Sequence, residues 1–386
     1  MGGEGLKMVY LLLLKLKTML KPSYLLTLLT MSVLTTSSCG SSSSDADNLL
    51  IEKTKEIAVG AKIPLMQLEY SDGGHTVSFE IAQRDGITAS EGGSTVFQAA
   101  SLSKPVLAYI VLKMADNGEL GLDEPIAKHT DIDRFVNKEW AGALTPRIVL
   151  SHRTGLPNWA VKAPSSAEWP TSFISFLHQP DSTFTYSGEG YAFLQRAIEA
   201  IRGKSLQQIA EEEVFIPFGM PNTSYGWLPA YDSLAVEGYN REGESVGVQV
   251  FPRENSGYTL RTTAKEYSRF IRHALVEGKG LKPETHRLML TPAGVAGSKG
   301  QPTEPDKQIM WGLGVGVERN EELGEVYFHW GDNGEFKSLF VVAPKANRYV
   351  VYFTNCPFGH TIIDELMPLY LGNTKPLSLS GWIAQR

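Results

Sequence analysis

The sequence QAASLSK occupies residues 98–104, where an apolar, strand-like run ends and a helical pattern begins. Ser101 stands three positions before Lys104. Residues three apart share one face of a helix, so the Lys104 amine can reach the Ser101 hydroxyl. A serine hydroxyl is a weak nucleophile unless a base or a lysine of lowered pKa lies beside it. Ser101 is therefore the predicted nucleophile, whereas Ser103 is badly placed to use Lys104.

The composition is that of a globular protein with a large buried core. The chain has 386 residues, of which 42% are hydrophobic and 20% are charged. Its formal net charge is -6 and it has no long basic run, which argues against nucleic-acid binding. A small molecule or a peptide is the expected partner. The sequence contains neither H-E-x-x-H nor paired C-x-x-C, so we expect no metal site and no cofactor.

The N-terminal stretch has the pattern of a bacterial export signal, which we predict over residues 1–38. Four lysines precede an apolar segment over 24–34, and small residues follow it. This segment is too short to favour a membrane-spanning helix. We predict lipidation of Cys39, with cleavage of a plain secretory signal as the alternative, followed by a flexible tether over 39–50.

These features predict a location in the bacterial cell envelope. The protein would be a lipoprotein anchored to the membrane through Cys39, or a periplasmic protein. Cys356 then has no internal partner, so we expect no structural disulfide.

Alternating hydrophobicity predicts strands near both ends of the chain, and helical patterns lie between them. The predicted strands cover residues 65–70, 76–82, 310–317, 326–329, 336–342 and 348–353. Predicted helices cover 191–201, 205–214, 263–275, 283–290 and a closing segment at 362–371. The helix that carries Lys104 is expected to end at Asn117-Gly118.

This order predicts an α/β protein of the α+β type. An antiparallel sheet built from N- and C-terminal strands and flanked by helices would carry a large, mainly helical insertion. We expect one domain over residues 51–386. Its sheet half would comprise 51–100 plus 305–373, and its helical half 101–304.

Two glycine-rich stretches match known motifs only in part. Residues 243–247, GESVG, match the G-x-S-x-G elbow of the α/β-hydrolases, but that elbow needs a strand before the serine and a helix after it. Neither flank has that pattern, so we predict a loop around Ser245. Residues 312–316, GLGVG, lack the spacing of a dinucleotide-binding loop, and we predict a strand whose small residues permit close approach.

Further motifs accompany the serine and the lysine. Residues 117–123 read NGELGLD, residues 150–157 read LSHRTGLP, residues 186–191 read YSGEGY, and His329-Trp330-Gly331 lies on a predicted strand. With residues 98–104, these motifs resemble the serine β-lactamase-related family. That family includes class C β-lactamases, D-alanyl-D-alanine carboxypeptidases, D-aminopeptidases and lactamase-like esterases. In it, S-x-x-K is joined by a tyrosine motif and by K-T-G or H-x-G on a neighbouring strand.

The resemblance extends over residues 51–371 and implies a β-lactamase/transpeptidase-like fold with an acylating serine. Ser101 would attack a carbonyl and form an acyl-enzyme. Tyr186 would pass the serine proton to the leaving group. Either Lys104 or Tyr186 would be the kinetic base.

The strand motif supplies the implied substrate-binding groups. Backbone N–H groups of Ser101 and of Asp332, just past Gly331, would hold the oxyanion. His329 would orient the substrate or, when protonated, attract a carboxylate.

The sequence departs from the family pattern at two positions. Gly188 stands where the family often has an asparagine whose amide contacts the lysine and the substrate carbonyl, unless Glu189 replaces that contact. Losing one such donor costs about a hundredfold or more in rate. His329 stands where other members have the K-T-G lysine. Both departures argue against efficient β-lactam turnover and favour an esterase or a DD-peptidase-like enzyme.

We therefore expect an exported serine hydrolase that forms an acyl-Ser101 intermediate on an ester, amide or D-amino-acid peptide bond. Its substrate would be a small molecule or peptide, with peptidoglycan-derived compounds as one source. The alternative, motivated by Gly188, is a catalytically impaired surface lipoprotein of the same fold that binds peptidoglycan fragments or a protein partner. An α/β-hydrolase that uses Ser245 is a third hypothesis.

Overall fold

The computed structural model describes residues 42–83, 93–162, 164–297 and 303–386. Backbone contacts divide the chain into two compact units, Met1–Lys53 and Thr54–Arg386. The predicted signal at 1–38 and Cys39 lie outside the described residues. The predicted tether over 39–50 is wrong in its second part, because helix α1, Ser42–Gly60, already covers it. Asp45 in the first turn of α1 complements the helix dipole and favours a helix there. The serine-rich composition had instead indicated a flexible segment.

Most strands of the described residues belong to one antiparallel sheet. The strands are β1 Leu65–Ser71, β2 Thr76–Ala82, β3 Phe97–Gln98, β4 Gly238–Tyr239, β5 Ser245–Gly247, β6 Arg261–Thr262, β7 Gly294–Val295, β8 Ile309–Trp311, β9 Gly316–Asn320, β10 Gly324–Asp332, β11 Lys337–Ala343 and β12 Arg348–Thr354. The large sheet has the order β2-β1-β12-β11-β10-β9-β8-β7. Two small ribbons pair β3 with β6 and β4 with β5.

The first strand of the chain lies inside the sheet beside the last one. Met66 of β1 stands opposite Ile81 of β2 on one side and Thr354 of β12 on the other. All seven residues of β1 are buried. The hairpin to β2 turns at Gly73, whose φ of +82° is open to glycine without strain. The predicted sheet built from both ends of the chain is therefore confirmed.

Two predictions about the sheet are wrong in detail. The predicted single strand over 310–317 is a hairpin of β8 and β9, because Gly314 adopts φ +93° and reverses the chain. The expected close approach does occur there, since a Cβ on Gly314 would lie 2.2 Å from Ala108 Cβ. The sheet also takes β7 from the stretch assigned to the helical half.

The helices lie mainly between β3 and β7, as predicted. The further α-helices of the described residues are α2 Ser103–Asp116, α3 Lys138–Gly142, α4 Pro146–Leu150, α5 Gly188–Arg202, α6 Leu206–Ala210, α7 Ile216–Phe218, α8 Tyr231–Leu234, α9 Ala264–Phe270, α10 Pro283–Leu290, α11 Ile363–Leu371 and α12 Ser378–Ile383. Helices α6 and α9 continue into π-helical turns at Glu211–Phe215 and Ile271–Val276. In the part of the chain that the structure describes, we find no helix with the length and apolar character needed to cross a membrane.

Helix α2 is the central helix of the core. Eleven of its fourteen residues are buried, including Lys104 in its first turn. It ends at Asp116, and Gly118 takes a positive φ of +74° directly afterwards, as the Asn-Gly pair predicted. Because α2 is enclosed almost all round, its first turn is removed from water as well.

Ser245, the serine of the G-x-S-x-G match, is exposed, unlike the buried first turn of α2. Strand β5 begins at Ser245, pairs with the buried strand β4 and is itself largely exposed. The Ser245 hydroxyl donates to Glu237 Oε2 at 2.6 Å. The described residues 248–257 that follow contain no helix, so the strand–serine–helix elbow is missing at this position, as predicted.

Candidate active site

Ser101 lies in a tight turn directly before α2. Ala100–Leu102 form a 3-10 turn in which Ala100 adopts φ +48°. This conformation is strained for a residue with a Cβ and persists only where the surroundings enforce it. Ser103 helps to do so, because its Oγ donates to Ala100 O at 2.6 Å and accepts from Leu260 N at 3.0 Å. Ser103 thus supports the turn that presents the nucleophile.

The Lys104 amine lies between Ser101 and a backbone carbonyl. Its Nζ donates to Ser101 Oγ at 3.0 Å and to Gly257 O at 2.7 Å. Lys104 is 1% exposed, and burial lowers its pKa from 10.5 to about 7. A lysine with this pKa is partly neutral near pH 7 and can accept the Ser101 proton. Sequence reasoning missed Gly257, because a carbonyl 153 residues from Lys104 leaves no side-chain signal.

Tyr186, the third predicted catalytic residue, also lies beside Lys104. Its ring lies 4.8 Å from Lys104 Nζ. Burial raises the pKa of the Tyr186 phenol, and the nearby Ser101 hydroxyl offsets this effect only in part. Tyr186 is therefore a neutral phenol at physiological pH. Its buried hydroxyl has no hydrogen-bond partner of good geometry among the described residues.

The start of α5 and two ring contacts position Tyr186. Ser187 caps α5, with its Oγ accepting from Gly190 N at 3.0 Å. The Tyr186 ring packs against His152 and Trp330, with centroid distances of 4.2 Å and 4.9 Å. The phenol is thereby fixed from both sides beside the lysine.

His152 is a positioning residue to which sequence reasoning gave no role. It is fully buried and takes φ +54°. Its Nδ1 accepts from Ser187 N at 3.1 Å, which assigns the proton to Nε2. Burial holds the pKa of His152 well below its usual value, so it presents a neutral ring to Tyr186. The loop carrying His152 and the cap of α5 meet only in the folded chain, and the sequence pattern does not reveal that contact.

His329 lies in a buried environment on strand β10. It is fully buried, and its Nδ1 lies 2.8 Å from Trp330 O. Burial, with Lys104 nearby, lowers the pKa of His329 to about 3. Burial thus disfavours the protonated form that would attract a carboxylate, and the predicted role of His329 in orienting the substrate stays a prediction. Its ring lies behind Tyr186, at a centroid distance of 6.2 Å, and supports the tyrosine from the sheet.

Strand β10 brings Gly331 directly against the nucleophile turn. A Cβ on Gly331 would lie 2.4 Å from Ala99 O, so this approach requires glycine. Ser101 and Asp332 line the same cavity. The Asp332 carboxylate pairs with Lys337. The oxyanion role of the Ser101 and Asp332 N–H groups stays a prediction.

Trp159 fills the space of the asparagine that the family often has at position 188. A Cβ on Gly188 would lie 2.4 Å from the Trp159 ring. The same ring would lie 2.7 Å from a Cβ on Gly257. Glycine at both positions therefore makes room for the indole, and the Gly257 carbonyl supplies a polar partner of Lys104.

Glu189 does not replace the missing amide. Its fully buried side chain pairs with Arg134 at 3.3 Å. It also accepts from Trp169 Nε1 at 2.6 Å and from Ala160 N at 2.9 Å. Glu189 thus fastens the loop beside the cavity to α5, and it contacts neither the lysine nor the nucleophile.

A cavity of about 760 Å³ opens at Ser101. It is lined by Ser101, Pro157, Asn158, Leu177, Phe184, Thr185, Tyr186, Gly297, Trp330, Asp332, Gln385 and Arg386. A second cavity, of about 380 Å³, is lined in part by the β1–β2 turn and the π-helical turn after α9, and it contains none of the predicted site residues. The cavity at Ser101 is thus the candidate active site.

A serine, a buried lysine and a tyrosine converge between an antiparallel sheet and a helical region. This combination of fold and site is of the β-lactamase/transpeptidase type, a class whose members are generally serine hydrolases. A sequence profile described as beta-lactamase matches residues 52–365. The chain belongs to the beta-lactamase family.

Curated relatives of the chain include penicillin-binding proteins. It is 26% identical over 209 residues to "Penicillin-binding protein 4" of Amycolatopsis lactamdurans, which covers 50% of this chain and 54% of that protein. It is 22% identical over 282 residues to "Protein flp" of Staphylococcus aureus, which covers 68% of this chain and 53% of that protein. The chain spans about half the length of these curated relatives.

Solved structures share the fold over most of the chain. A beta-lactamase/D-alanine carboxypeptidase from Yersinia pestis, complexed with citrate, superposes with a TM-score of 0.70 at 15% identity and covers 86% of this chain and 100% of that one. A D-stereospecific amidohydrolase from Streptomyces sp. has a TM-score of 0.68 at 17% identity, covering 84% and 99%. The predicted β-lactamase/transpeptidase-like fold is confirmed.

Proposed function

We propose that this chain is an exported serine hydrolase that forms an acyl-Ser101 intermediate on an ester, amide or D-amino-acid peptide bond. The observation that carries the proposal is the 3.0 Å hydrogen bond between Lys104 Nζ and Ser101 Oγ. It is made by a lysine whose burial lowers its pKa to about 7. Burying an amine costs free energy, and an amine that is partly neutral beside a serine hydroxyl suits base catalysis.

In the proposed reaction, Lys104 accepts the Ser101 proton while Ser101 Oγ forms a bond to the substrate carbonyl carbon. The N–H groups of Ser101 and Asp332 hold the resulting oxyanion. When the intermediate collapses, the bond to the leaving group breaks. Tyr186 Oη donates a proton to the departing atom and regains one from Lys104. A water then attacks the acyl carbon and gives a proton to Lys104. The bond from Ser101 Oγ to that carbon breaks as the acid departs, and Lys104 returns the proton to Ser101 Oγ.

Burial supports Lys104 rather than Tyr186 as the kinetic base. It lowers the pKa of the lysine to about 7 but raises the pKa of the phenol. A phenolate would therefore be rare at neutral pH, while neutral lysine would be common. Tyr186 is better suited to relay a proton between Lys104 and the leaving group.

The proposed activity on β-lactams is weak or nil. Trp159 fills the space of the family's asparagine amide, and His329 is neutral where the K-T-G motif carries a cation. The names of two structural neighbours, a beta-lactamase/D-alanine carboxypeptidase and a D-stereospecific amidohydrolase, have D-amino-acid substrates in common. Peptidoglycan-derived peptides belong to that class.

Covalent labelling tests the hydrolase. The parent would be incubated with a fluorophosphonate probe, digested and analysed by mass spectrometry, beside Ser101→Ala and Ser245→Ala. Parent and Ser245→Ala should carry the label on Ser101 and hydrolyse esters, because Ser245 is exposed on strand β5. Ser101→Ala should do neither. An unlabelled Ser101 in the parent, with unchanged ester hydrolysis in Ser101→Ala, would overturn the proposal.

The second candidate function is ligand binding without turnover. Gly188 favours this function, because the family's asparagine is absent there and the Trp159 ring occupies its space. The amide that contacts the substrate carbonyl in related enzymes is therefore missing. Calorimetric titration with a purified muropeptide separates the two functions. Saturable binding that persists in Ser101→Ala, with no covalent adduct in the parent, would establish the binding protein instead.

We also propose that the chain is anchored in the bacterial cell envelope through a lipid on Cys39. The lysines, the apolar segment over 24–34 and the small residues before Cys39 support this. Labelled palmitate should enter the parent and Cys356→Ala but not Cys39→Ala. Equal labelling of Cys39→Ala would contradict the anchor.

A further inference from the structure

We propose that Asn333, in the turn between β10 and β11, is a positioning residue that holds three parts of the active site in register. This inference rests on the proposed acyl-transfer function and adds to it a residue outside the lining of the cavity at Ser101. The three parts are strand β3 before Ser101, the loop whose carbonyl binds Lys104, and the end of β10. We call Asn333 and its partners Gln98 and Tyr258 the amide clamp.

Asn333 uses its side-chain nitrogen to donate two hydrogen bonds. Its Nδ2 donates to Gln98 Oε1 at 2.8 Å and to Tyr258 O at 3.2 Å. A backbone carbonyl accepts and cannot donate, which assigns nitrogen rather than oxygen to the Asn333 atom that faces it. The two partners lie 235 and 75 residues from Asn333 along the chain, so the sequence pattern does not reveal these contacts.

The first bond holds strand β3 against the sheet. Gln98 is 1% exposed and stands three residues before Ser101. The next residue, Ala99, is held in a similar way, because its O accepts from Ser338 Oγ of β11 at 2.8 Å. Two consecutive residues before the nucleophile turn are therefore tied to the β10–β11 hairpin. These ties set the separation of the Ser101 and Asp332 N–H groups, the proposed oxyanion donors.

The second bond holds the loop that supplies a carbonyl to Lys104. Tyr258 directly follows Gly257, whose O accepts from Lys104 Nζ at 2.7 Å. On its other side the loop is tied to α5, because Ser256 N donates to Gln195 Oε1 at 2.8 Å. The amide clamp holds the same loop from the sheet. Loss of the clamp would let the Gly257 carbonyl move away from the amine that it helps to place.

The turn that carries Asn333 is itself fixed. Asp332 Oδ1 accepts from Gly334 N at 2.8 Å and pairs with Lys337 across the turn. Asn333 N donates to Phe336 O at 3.1 Å. Gly334 takes φ +79°, a conformation that glycine adopts without strain. The turn therefore directs the Asn333 amide at its two acceptors.

A transition-state analogue and a ground-state analogue test the proposal. Phenylboronic acid forms a bond from boron to Ser101 Oγ while the serine proton passes to Lys104, which gives a tetrahedral anion like the acylation intermediate. Asn333→Leu keeps a branched side chain but has no donor. We expect it to lower kcat/KM for p-nitrophenyl acetate by about tenfold and to weaken phenylboronic acid by a similar factor. The reason is that a misplaced lysine and misplaced oxyanion donors act on the transition state.

The ground-state analogue is p-nitroacetanilide, the planar amide counterpart of the ester. Its affinity, measured by competitive inhibition, should change by less than about twofold in Asn333→Leu. Asn333→Gln keeps the donor nitrogen and should recover part of the loss. Asn320→Leu is the matched control, because Asn320 holds the turn at the opposite end of β10, where its Oδ1 accepts from Leu323 N at 2.9 Å. It should change the affinity of neither inhibitor.

A double-mutant cycle tests the contact independently of activity. Gln98→Met removes the acceptor at similar length, and the double variant with Asn333→Leu should lose less unfolding free energy in urea than the sum of the two changes. Additive losses would overturn the clamp. Parental kcat/KM in Asn333→Leu, or an equal weakening of both inhibitors, would overturn the positioning role. If the cycle shows coupling but the parent forms no adduct at Ser101, the proposed hydrolase itself has failed, and with it the catalytic benefit of Asn333.

Discussion

The Lys104 amine sits out of water between the Ser101 hydroxyl and the Gly257 carbonyl. An ammonium loses its hydration there, so burial favours the neutral amine and lowers the pKa to about 7. The same environment that makes Lys104 a base also makes its charged form costly to the fold. Activity and stability should therefore both depend on pH through this residue.

The first prediction is an ascending pH–rate profile. Below pH 7 Lys104 is protonated and cannot accept the Ser101 proton, whereas above it the amine is neutral. For a neutral ester, kcat/KM should rise with pH through an apparent pKa of about 7 and then level off. Steady-state rates between pH 5 and pH 9 would check this. A midpoint near the ordinary lysine value of 10.5 would rule out a buried base.

The second prediction concerns stability. The pKa of Lys104 is about 7 in the folded chain and 10.5 in the unfolded chain, so the unfolded state binds more protons between these values. The stability of the parent should rise with pH through this window, at up to about 1.4 kcal/mol per pH unit. Lys104→Met carries no charge and should be more stable than the parent at pH 6, by a few kcal/mol at most, with the margin closing towards pH 10.

Urea unfolding at pH 6, 8 and 10 measures that margin. Lys128→Met is the control, because the Lys128 side chain is 60% exposed and should show no comparable trend. A Lys104→Met variant that is less stable than the parent at every pH would contradict the prediction.

At single positions, the sequence revealed contacts within one turn and missed contacts across the fold. Ser101 and Lys104 were predicted to meet because the helix repeat fixes their spacing. Gly257 and Trp159 were missed, because their approach to the site depends on loops that only tertiary packing brings together. His329 was located correctly on its strand, but its charge depends on burial that a motif does not encode.

Among the elements, regular periodicity of hydrophobic residues predicted helix and strand bounds best, and the error over 310–317 arose at a glycine. Helix α10 has the predicted bounds, and so does strand β2. The apolar run over 310–317 continues through Gly312 and Gly314, so its pattern resembles one strand although the chain reverses there. Periodicity thus predicted that the segment is β-structure. It could not predict that the chain reverses at Gly314, because that depends on the backbone conformation of a single glycine.

The third prediction concerns the contact between Gly188, the first residue of α5, and the Trp159 ring. Gly188→Asn places a side chain against the Trp159 ring, where even a Cβ would lie 2.4 Å away. Overpacking of this kind costs about 1–3 kcal/mol. Trp159→Ala should lose stability alone, but the double variant should lose less than the sum of the two changes. Chemical denaturation of the four proteins measures the coupling, and simple additivity would contradict the assigned contact.

For the molecule as a whole, an aromatic cluster joins its last helix to the sheet and the active site. Trp382 of α12 is fully buried and stacks on Trp311 at 6.0 Å. It also meets Trp330 edge-on at 5.0 Å, and its Nε1 donates to Ala296 O at 2.7 Å. Trp330 in turn packs on Tyr186. Helix α12 is therefore part of the aromatic packing that holds Tyr186.

The fourth prediction follows from this cluster. Trp382→Ala should lower the free energy of unfolding by about 3–5 kcal/mol, the usual cost of deleting a buried tryptophan side chain. Trp227→Ala, at a partly exposed position with a hydrogen bond to Asp232, should cost clearly less. Urea denaturation monitored by circular dichroism compares the two. Similar losses would argue against a core role for Trp382.

The pairing of β1 with β12 also bears on biosynthesis. Met66 of β1 pairs with Thr354 of β12, so the ribosome must make the chain at least as far as Thr354 before these two strands can pair. Distant pairing of this kind slows folding and leaves hydrophobic strands open in the meantime. A nascent polypeptide that cannot close this sheet early needs protection from aggregation until β12 has been synthesised.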